Sequence, residues 1–219
     1  MIQPSTGSIL VIISGSGSNL QAIIDGCANG DLPGSICAVI SNNPKAYGLE
    51  RANIAGIPSA VLNHRGFDSR EAYDEKLAEL ILEYDPDLIV LAGFMRILTS
   101  EFVQKFEGKL INIHPSLLPK YPGLHTHQRA IDNGDSHHGA TVHFVTEELD
   151  GGPAIIQGAV AIDSQDDATS LAAKVQEQVE YKIYPLAVKW FMQGKLHLSS
   201  TGAELDGKLL PDSGYEYSN

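Results

Sequence analysis

Ser8-Ile9-Leu10-Val11-Ile12-Ile13 is an unbroken apolar run, too short for a helix and followed at once by Gly15 and Gly17. Such a run fits a strand covered on both faces. Ile36 to Ile40 and Asp87 to Ala92 repeat it, Ser59 to Leu62 is a shorter version, and Leu110 to Ile113 is a fifth. Helical spacing fills the gaps. Asn19 to Ala28 predicts one helix, Tyr47 to Ala55 a second, and Thr99 to Phe106 a short one. From Ser69 to Tyr84, the residues Tyr73, Leu77, Leu80, Ile81 and Tyr84 share one face, with Asp68 or Ser69 as cap. Alternation of strand and helix implies a parallel sheet joined by right-handed crossovers.

The fold class predicted is therefore α/β: a Rossmann-like open, mostly parallel sheet with helices on both faces, from about residue 8 to 114. Ligands of such sheets sit at the carboxyl ends of the strands. The Gly15 loop, Gly93-Phe94-Met95-Arg96 and His114 all fall at predicted strand ends, and should meet on one rim.

The second half changes character. His125 to Asn133 fits a helix. Ala140 to Val145 alternates like a half-buried strand, and Ala154 to Ile162 looks like another. The Asp150-Gly151-Gly152-Pro153 turn between them suggests an antiparallel pair. A long C-terminal helix begins near Asp167 and carries Leu171, Val175, Val179, Ile183, Leu186 and Trp190 on one side. Pro185 should kink or break it. The tail from Thr201 reads as polar loop. Antiparallel strands and a long helix would thus extend the first half. The expectation is one domain over 1–219, in which residues 115–219 complete a cleft.

Charge and cysteine usage narrow the classes. The chain has 219 residues, with 27 acidic and 15 basic side chains and a formal charge of −12. Phosphate backbones and anionic membranes reward clustered Lys and Arg, so neither nucleic acid nor membrane is an expected partner. No apolar run approaches membrane-spanning length. The stretch Met1 to Ser8 lacks the basic and apolar regions of a signal peptide. Cys27 and Cys37 make neither a zinc spacing nor a disulfide framework, and read as buried free thiols in a reducing compartment. A cytoplasmic protein is expected.

Candidate chemistry concentrates at three places. In Ser14-Gly15-Ser16-Gly17-Ser18-Asn19, small residues after a strand let backbone N–H groups approach a phosphate at a helix start. No Gly-Lys-Ser/Thr follows, and Leu20 stands at the third glycine of a dinucleotide fingerprint, so a phosphate monoester fits better than a dinucleotide. The plain alternative is a strand-to-helix turn capped by Asn19. In Leu110-Ile111-Asn112-Ile113-His114-Pro115, residues two apart share a face, which puts an amide donor beside an imidazole. A histidine alone at a strand end favours a structural role; Asn112 beside it brings catalysis level with that reading. Asp150 is an ordinary turn residue unless it meets His114, where a carboxylate would orient the ring and favour its charged form.

Other polar residues are weaker on their own. His125-Thr126-His127 and His137-His138 lack the further ligands of a metal site, so no metal is expected. Arg70 and Arg96 could hold a carboxylate bidentately. Glu180 could meet ribose hydroxyls or simply face solvent. Neither cysteine nor any serine sits in a nucleophile motif, so covalent catalysis is unsupported.

Several long motifs in order resemble the phosphoribosylglycinamide formyltransferase family. They are Ile111 to His127 (INIHPSLLPKYPGLHTH), Ser14 to Ile23 (SGSGSNLQAI), Leu91 to Leu98 (LAGFMRIL) and Glu148 to Pro153 (ELDGGP), and the likeness runs on through Ile183-Tyr184-Pro185 to Leu205-Asp206-Gly207. The resemblance implies transfer of a formyl group from the co-substrate 10-formyltetrahydrofolate to the amine of glycinamide ribonucleotide. It implies Asn112, His114 and Asp150 as the catalytic set. Gly17, Ser18 and Asn19 would hold the substrate phosphate and Glu180 the ribose. Arg70, Met95, Arg96, Ile97 and Leu98, with Asn112, would form the folate site. The match around Glu180 is looser, needing a one-residue gap. A monomer or a homodimer fits equally.

Three rivals share parts of the pattern. A methionyl-tRNA formyltransferase usually adds a C-terminal tRNA-binding domain, for which this chain lacks length and basic surface. A formyltetrahydrofolate deformylase would use water in place of the amine, and typically adds an N-terminal regulatory domain. A non-catalytic phosphometabolite sensor would keep the Gly15 loop but need no Asn112-His114-Asp150 set.

Overall fold

The computed structural model describes residues 7–218; residues 1–6 and Asn219 lie outside the described residues, and so does most of the Met1 to Ser8 stretch read above. The chain divides into two compact units, Met1–Leu110 and Ile111–Asn219. The fold class is the expected one: α/β, with parallel strands and intervening helices, antiparallel strands and a helical C-terminal segment.

In the first unit, β1 (Ser8–Ile13), β2 (Ser35–Ser41), β3 (Ser59–Val61) and β4 (Leu88–Leu91) pair in parallel in the order β4-β1-β2-β3. The residues of β1 from Ile9 to Ile13 are wholly buried, as a continuous apolar run requires. Helices α1 (Ser18–Ala28), α2 (Gly48–Ile54), α3 (Arg70–Tyr84) and α4 (Ser100–Lys105) alternate with the strands. Ser69 is the cap of α3, its hydroxyl accepting from the Ala72 N–H at 3.0 Å. Cys27 and Cys37 are free but only half-buried, and burial pushes both thiols up.

In the second unit, β5 (Leu110–His114, which starts at the boundary) pairs antiparallel with β6 (His137–Phe144), and β6 with β7 (Ala154–Ala161). Helix α5 (Thr126–Asp132) lies between β5 and β6 in sequence. Strand β6 departs from the half-buried expectation. Seven of its eight residues are buried, including His138, Thr141 and His143. Thr141 and His143 use their polar atoms in internal hydrogen bonds rather than toward solvent.

The C-terminal helix is interrupted, though not at Pro185. Helix α6 (Ala168–Val175) passes into a π turn over Gln176–Glu180, closed by the Tyr181 N–H on the Gln176 carbonyl, and α7 (Tyr181–Met192) runs on through Pro185. One extra residue in the turn rotates the apolar stripe. Leu171, Val175, Val179 and Ile183 are buried as expected, but beyond the turn Ala187 and Val188 are buried while Leu186 and Trp190 are half-buried. The same rotation turns Glu180 inward.

The tail is not loop. Strands β8 (Leu196–Ser199), β9 (Gly202–Leu205) and β10 (Lys208–Leu209) form a small antiparallel sheet, and β11 (Tyr215–Tyr217) pairs in parallel with β7. Asp206 (φ 50°) and Gly207 (φ 74°) supply the left-handed pair that a tight hairpin between β9 and β10 needs. Trp190 meets Tyr215 edge to face, ring centroids 5.3 Å apart.

Candidate active site

In the second unit, the pleat of β5 puts Asn112 and His114 on one side, half-buried and buried respectively. The stretch after His114 is pinned to the antiparallel strands. Thr141 donates to the Ser116 carbonyl at 2.7 Å and accepts from the Leu118 N–H at 3.1 Å. Gln157 donates to the Leu118 carbonyl at 2.6 Å, and Ser116 to the Lys120 carbonyl at 2.6 Å. Then Tyr121 (φ 57°), Gly123 (φ 80°) and His125 (φ 59°) turn the chain back toward His114.

His114 faces two oxygens. Its Nε2 lies 2.8 Å from the Tyr121 carbonyl, which can only accept, so Nε2 carries a proton. Its Nδ1 lies 3.3 Å from Asp150 Oδ2. A doubly protonated ring would donate to both. Asp150 sits at φ 52°, and Oδ2 also accepts the Gly123 N–H at 2.9 Å. One carboxylate oxygen thus steadies both the histidine and the loop that carries Tyr121.

His143, on β6 directly opposite Asn112, completes this group, and the sequence reading missed it. Its Nδ1 donates to the Phe144 carbonyl at 2.8 Å. Burial lowers its pKa and holds the ring neutral, against the opposing pull of the Phe144 bond and of Asp150. A neutral ring with its proton on Nδ1 offers a lone pair at Nε2. The Asn112 amide nitrogen lies 3.2 Å from that atom and donates to it. Asp150 Oδ1 is 3.8 Å from the same Nε2, beyond hydrogen-bond range.

Two further histidines lie behind the loop. His127 and His138 meet edge to face at 5.0 Å, and neither His127 Nδ1 nor His138 Nε2 has a partner. Burial lowers both, His138 to about 4, despite a bond to the Pro115 carbonyl and the charge of Asp135. Among the described residues no group of three or more His, Cys, Asp or Glu is placed to hold a metal ion. Glu180 is buried in the π turn of this unit.

In the first unit, Gly17 (φ 68°) caps α1, so the helix begins at Ser18 and Asn19 is its second residue rather than its cap. Ser14 ties this loop to the segment after β4, its hydroxyl accepting from the Met95 N–H at 3.0 Å. Met95 and Ile97 are exposed there, Leu98 half-buried. Arg96 lies over the Tyr73 ring at 4.7 Å, with its Nε buried and unpartnered. Arg70 is exposed, 3.9 Å from Glu71. Both guanidinium charges act on Asp74, a carboxyl raised chiefly by burial, whose Oδ2 accepts the Thr99 N–H at 2.7 Å.

The formyl transferase family model matches residues 8–188. The chain is 55% identical over 208 residues to the phosphoribosylglycinamide formyltransferase of Escherichia coli, covering 95% of this chain and 98% of that protein. It is 53% identical over 207 residues to the Haemophilus influenzae protein of the same name, covering 94% and 97%. A solved Coxiella burnetii phosphoribosylglycinamide formyltransferase superposes with a TM-score of 0.92 at 48% identity, covering 97% of this chain and 99% of that one.

Proposed function

Because this chain belongs to the formyl transferase family, among the phosphoribosylglycinamide formyltransferases, we propose that it moves a formyl group from 10-formyltetrahydrofolate to the amine of glycinamide ribonucleotide in purine biosynthesis, with Asn112, His114 and Asp150 as the catalytic set. The observation that carries the residue roles is His114 held between the Tyr121 carbonyl and Asp150, on the strand that also presents Asn112.

The substrate amine attacks the formyl carbon, a C–N bond forms, and the carbonyl oxygen becomes an oxyanion. Asn112 has two amide protons. One is committed to His143, and the other is the donor for the oxyanion. The Nε2–H of His114 exchanges the Tyr121 carbonyl for the same oxyanion once substrates are bound; hydrogen bonds at catalytic groups commonly rearrange on loading. Asp150 stays on Nδ1 and keeps the ring oriented. Collapse breaks the bond to the folate nitrogen, which takes up the proton lost by the amine. Holding amine and formyl carbon at contact distance supplies much of the acceleration.

Binding roles follow the family pattern. Gly17, Ser18 and Asn19 hold the phosphate and Glu180 the ribose. Arg70, Met95, Arg96, Ile97 and Leu98 serve the folate, the two arginines suiting its carboxylates. The donor is a co-substrate, and the mechanism uses no metal. The proposed reaction is assigned to the cytoplasm, the compartment expected from the sequence. No helix among the described residues is long and apolar enough to cross a membrane.

One assay tests the reading. The protein is incubated with 10-formyltetrahydrofolate, with and without glycinamide ribonucleotide, and folate release is followed. Release should require the ribonucleotide and fall about 10²-fold in Asn112→Ala and His114→Ala, the scale of losing an oxyanion donor. Equal release without the ribonucleotide would make the protein a hydrolase, and no release in either arm would leave only a binding role.

A further inference from the structure

Three consecutive carbonyls of the glycine loop are tied to one segment of the first unit. The Ser14 carbonyl accepts from Asn43 Nδ2 at 3.2 Å. The Gly15 carbonyl accepts from the Gly48 N–H at 3.1 Å. The Ser16 carbonyl accepts from Arg51 Nε at 2.9 Å. In a trans peptide the C=O of one residue and the N–H of the next point in opposite directions. Drawing these carbonyls toward residues 43–51 therefore turns the N–H groups of Gly15, Ser16 and Gly17 the other way, as in backbone loops that receive an anion.

Two side chains take part in this clamp, Asn43 and Arg51, and Arg51 is the one that carries a charge. Its guanidinium also donates to Gln21 Oε1 at 3.1 Å and lies over the Tyr47 ring at 4.9 Å. Two donors and a stacking face fix it in one orientation; a lysine could supply the single donor to Ser16 but not the fork or the stacking face. The backbone around it has no slack. A Cβ on Gly17 would come within 2.6 Å of Gly48 Cα, so the loop and the start of α2 are packed main chain against main chain.

We propose that Arg51 is a positioning residue for phosphate recognition: through the Ser16 carbonyl it orients the loop amides toward the phosphate of the ribonucleotide. The proposal rests on the glycine loop being the phosphate site. Arg51 acts on binding and not on the formyl transfer, which is the work of other residues.

The test compares wild type, Arg51→Met and Arg51→Lys, using inorganic phosphate as a competitive inhibitor against glycinamide ribonucleotide. In Arg51→Met, KM for the ribonucleotide and Ki for phosphate should both rise about tenfold, the scale of one charge-assisted hydrogen bond. Both kcat and KM for 10-formyltetrahydrofolate should stay within about twofold, a split that general loss of structure would not give. Arg51→Lys keeps a donor for Ser16 and should recover part of the loss. Phosphate competition that is equal in wild type and Arg51→Met would overturn the role of Arg51 while leaving the loop as the site. Equal losses in the Met and Lys variants would overturn the donor role. Absence of competition in wild type would overturn the phosphate site and the proposal together.

Discussion

His143 holds the Asn112 amide by its Nε2 lone pair, 3.2 Å away, because its Nδ1 proton is spent on the Phe144 carbonyl at 2.8 Å. The bond fixes which end of the amide is nitrogen and leaves the second N–H of Asn112 for the oxyanion of the proposed transfer. His143→Leu removes that acceptor and lets the amide rotate. Turnover should fall about tenfold with both KM values little changed, the pattern for an interaction felt mainly in the transition state. In an Asn112→Ala background the same change should cost almost nothing further, since the two residues act as one unit. Losses that multiply across the pair, measured by steady-state kcat, would show that His143 does not act through Asn112.

Asp150→Asn separates charge from shape. The remaining side-chain oxygen can still accept the Gly123 N–H now bound at 2.9 Å, so the loop keeps its anchor. What His114 Nδ1 loses is its carboxylate, 3.3 Å away. Turnover should drop about 10²-fold or more while stability barely changes, as when a carboxylate that orients a catalytic imidazole becomes an amide. Asp150→Ala should match that kinetic loss and also cost about 1 kcal/mol of stability, because the Gly123 amide loses its partner. Thermal melts run beside the kinetics distinguish the two, and an active Asp150→Asn enzyme would remove Asp150 from the catalytic set.

Much of the first unit was legible because its strands are buried on both faces and spell unbroken apolar runs, as in Ile9 to Ile13. The pairing of Asn112 with His114 was legible from the two-residue period of a strand. His143 was not, for the same reason: on an alternating strand, an inward polar residue is indistinguishable from a solvent-facing one. Thr141 and His143 read as the wet face of β6, yet Thr141 holds the loop after His114 and His143 holds Asn112. The π turn over Gln176–Glu180 leaves no compositional mark, and its one trace in the sequence is the one-residue gap that the match around Glu180 needs. The β9–β10 hairpin had its signal in Asp206-Gly207, set in a tail too polar to suggest strands.

His138 gives the second unit an acid-sensitive element. It is buried against His127, and burial lowers it to about 4 from the 6.5 of a free imidazole. Between those values the unfolded chain binds the proton that the folded one refuses. Stability therefore rises with pH across the window from 4 to 6.5, is complete above it, and is lost as the pH falls through it. The full difference is about 3 kcal/mol for His138 alone, with His127, also lowered, adding to it in the same direction. Urea unfolding midpoints measured at intervals from pH 7 to 4 should fall steadily in wild type. They should fall less in His138→Leu, and parallel curves for the two proteins would refute the assignment.

Gly152 tests whether the turn that carries Asp150 tolerates displacement. A Cβ there would run into the Phe144 carbonyl, which belongs to the strand residue that also accepts from His143. Neither side can give easily. The obstacle is main chain in a buried strand, and the Phe144 N–H is already bonded to the Pro153 carbonyl at 3.0 Å. Gly152→Ala must therefore shift the turn, and Asp150 two residues earlier moves with it. The expected costs are about 2 kcal/mol of stability, the range for forcing a methyl into packed structure, and about tenfold in turnover from the loosened Asp150 contact with His114. Gly134→Ala is the matched control. It also sits at a turn, with φ 67°, but no atom lies within 4 Å of its Cβ position. It should lose stability through backbone strain and keep its turnover. Denaturation curves and kcat measured on both variants decide the matter: equal turnover in the two would mean that the position of the 150–153 turn does not govern the catalytic group.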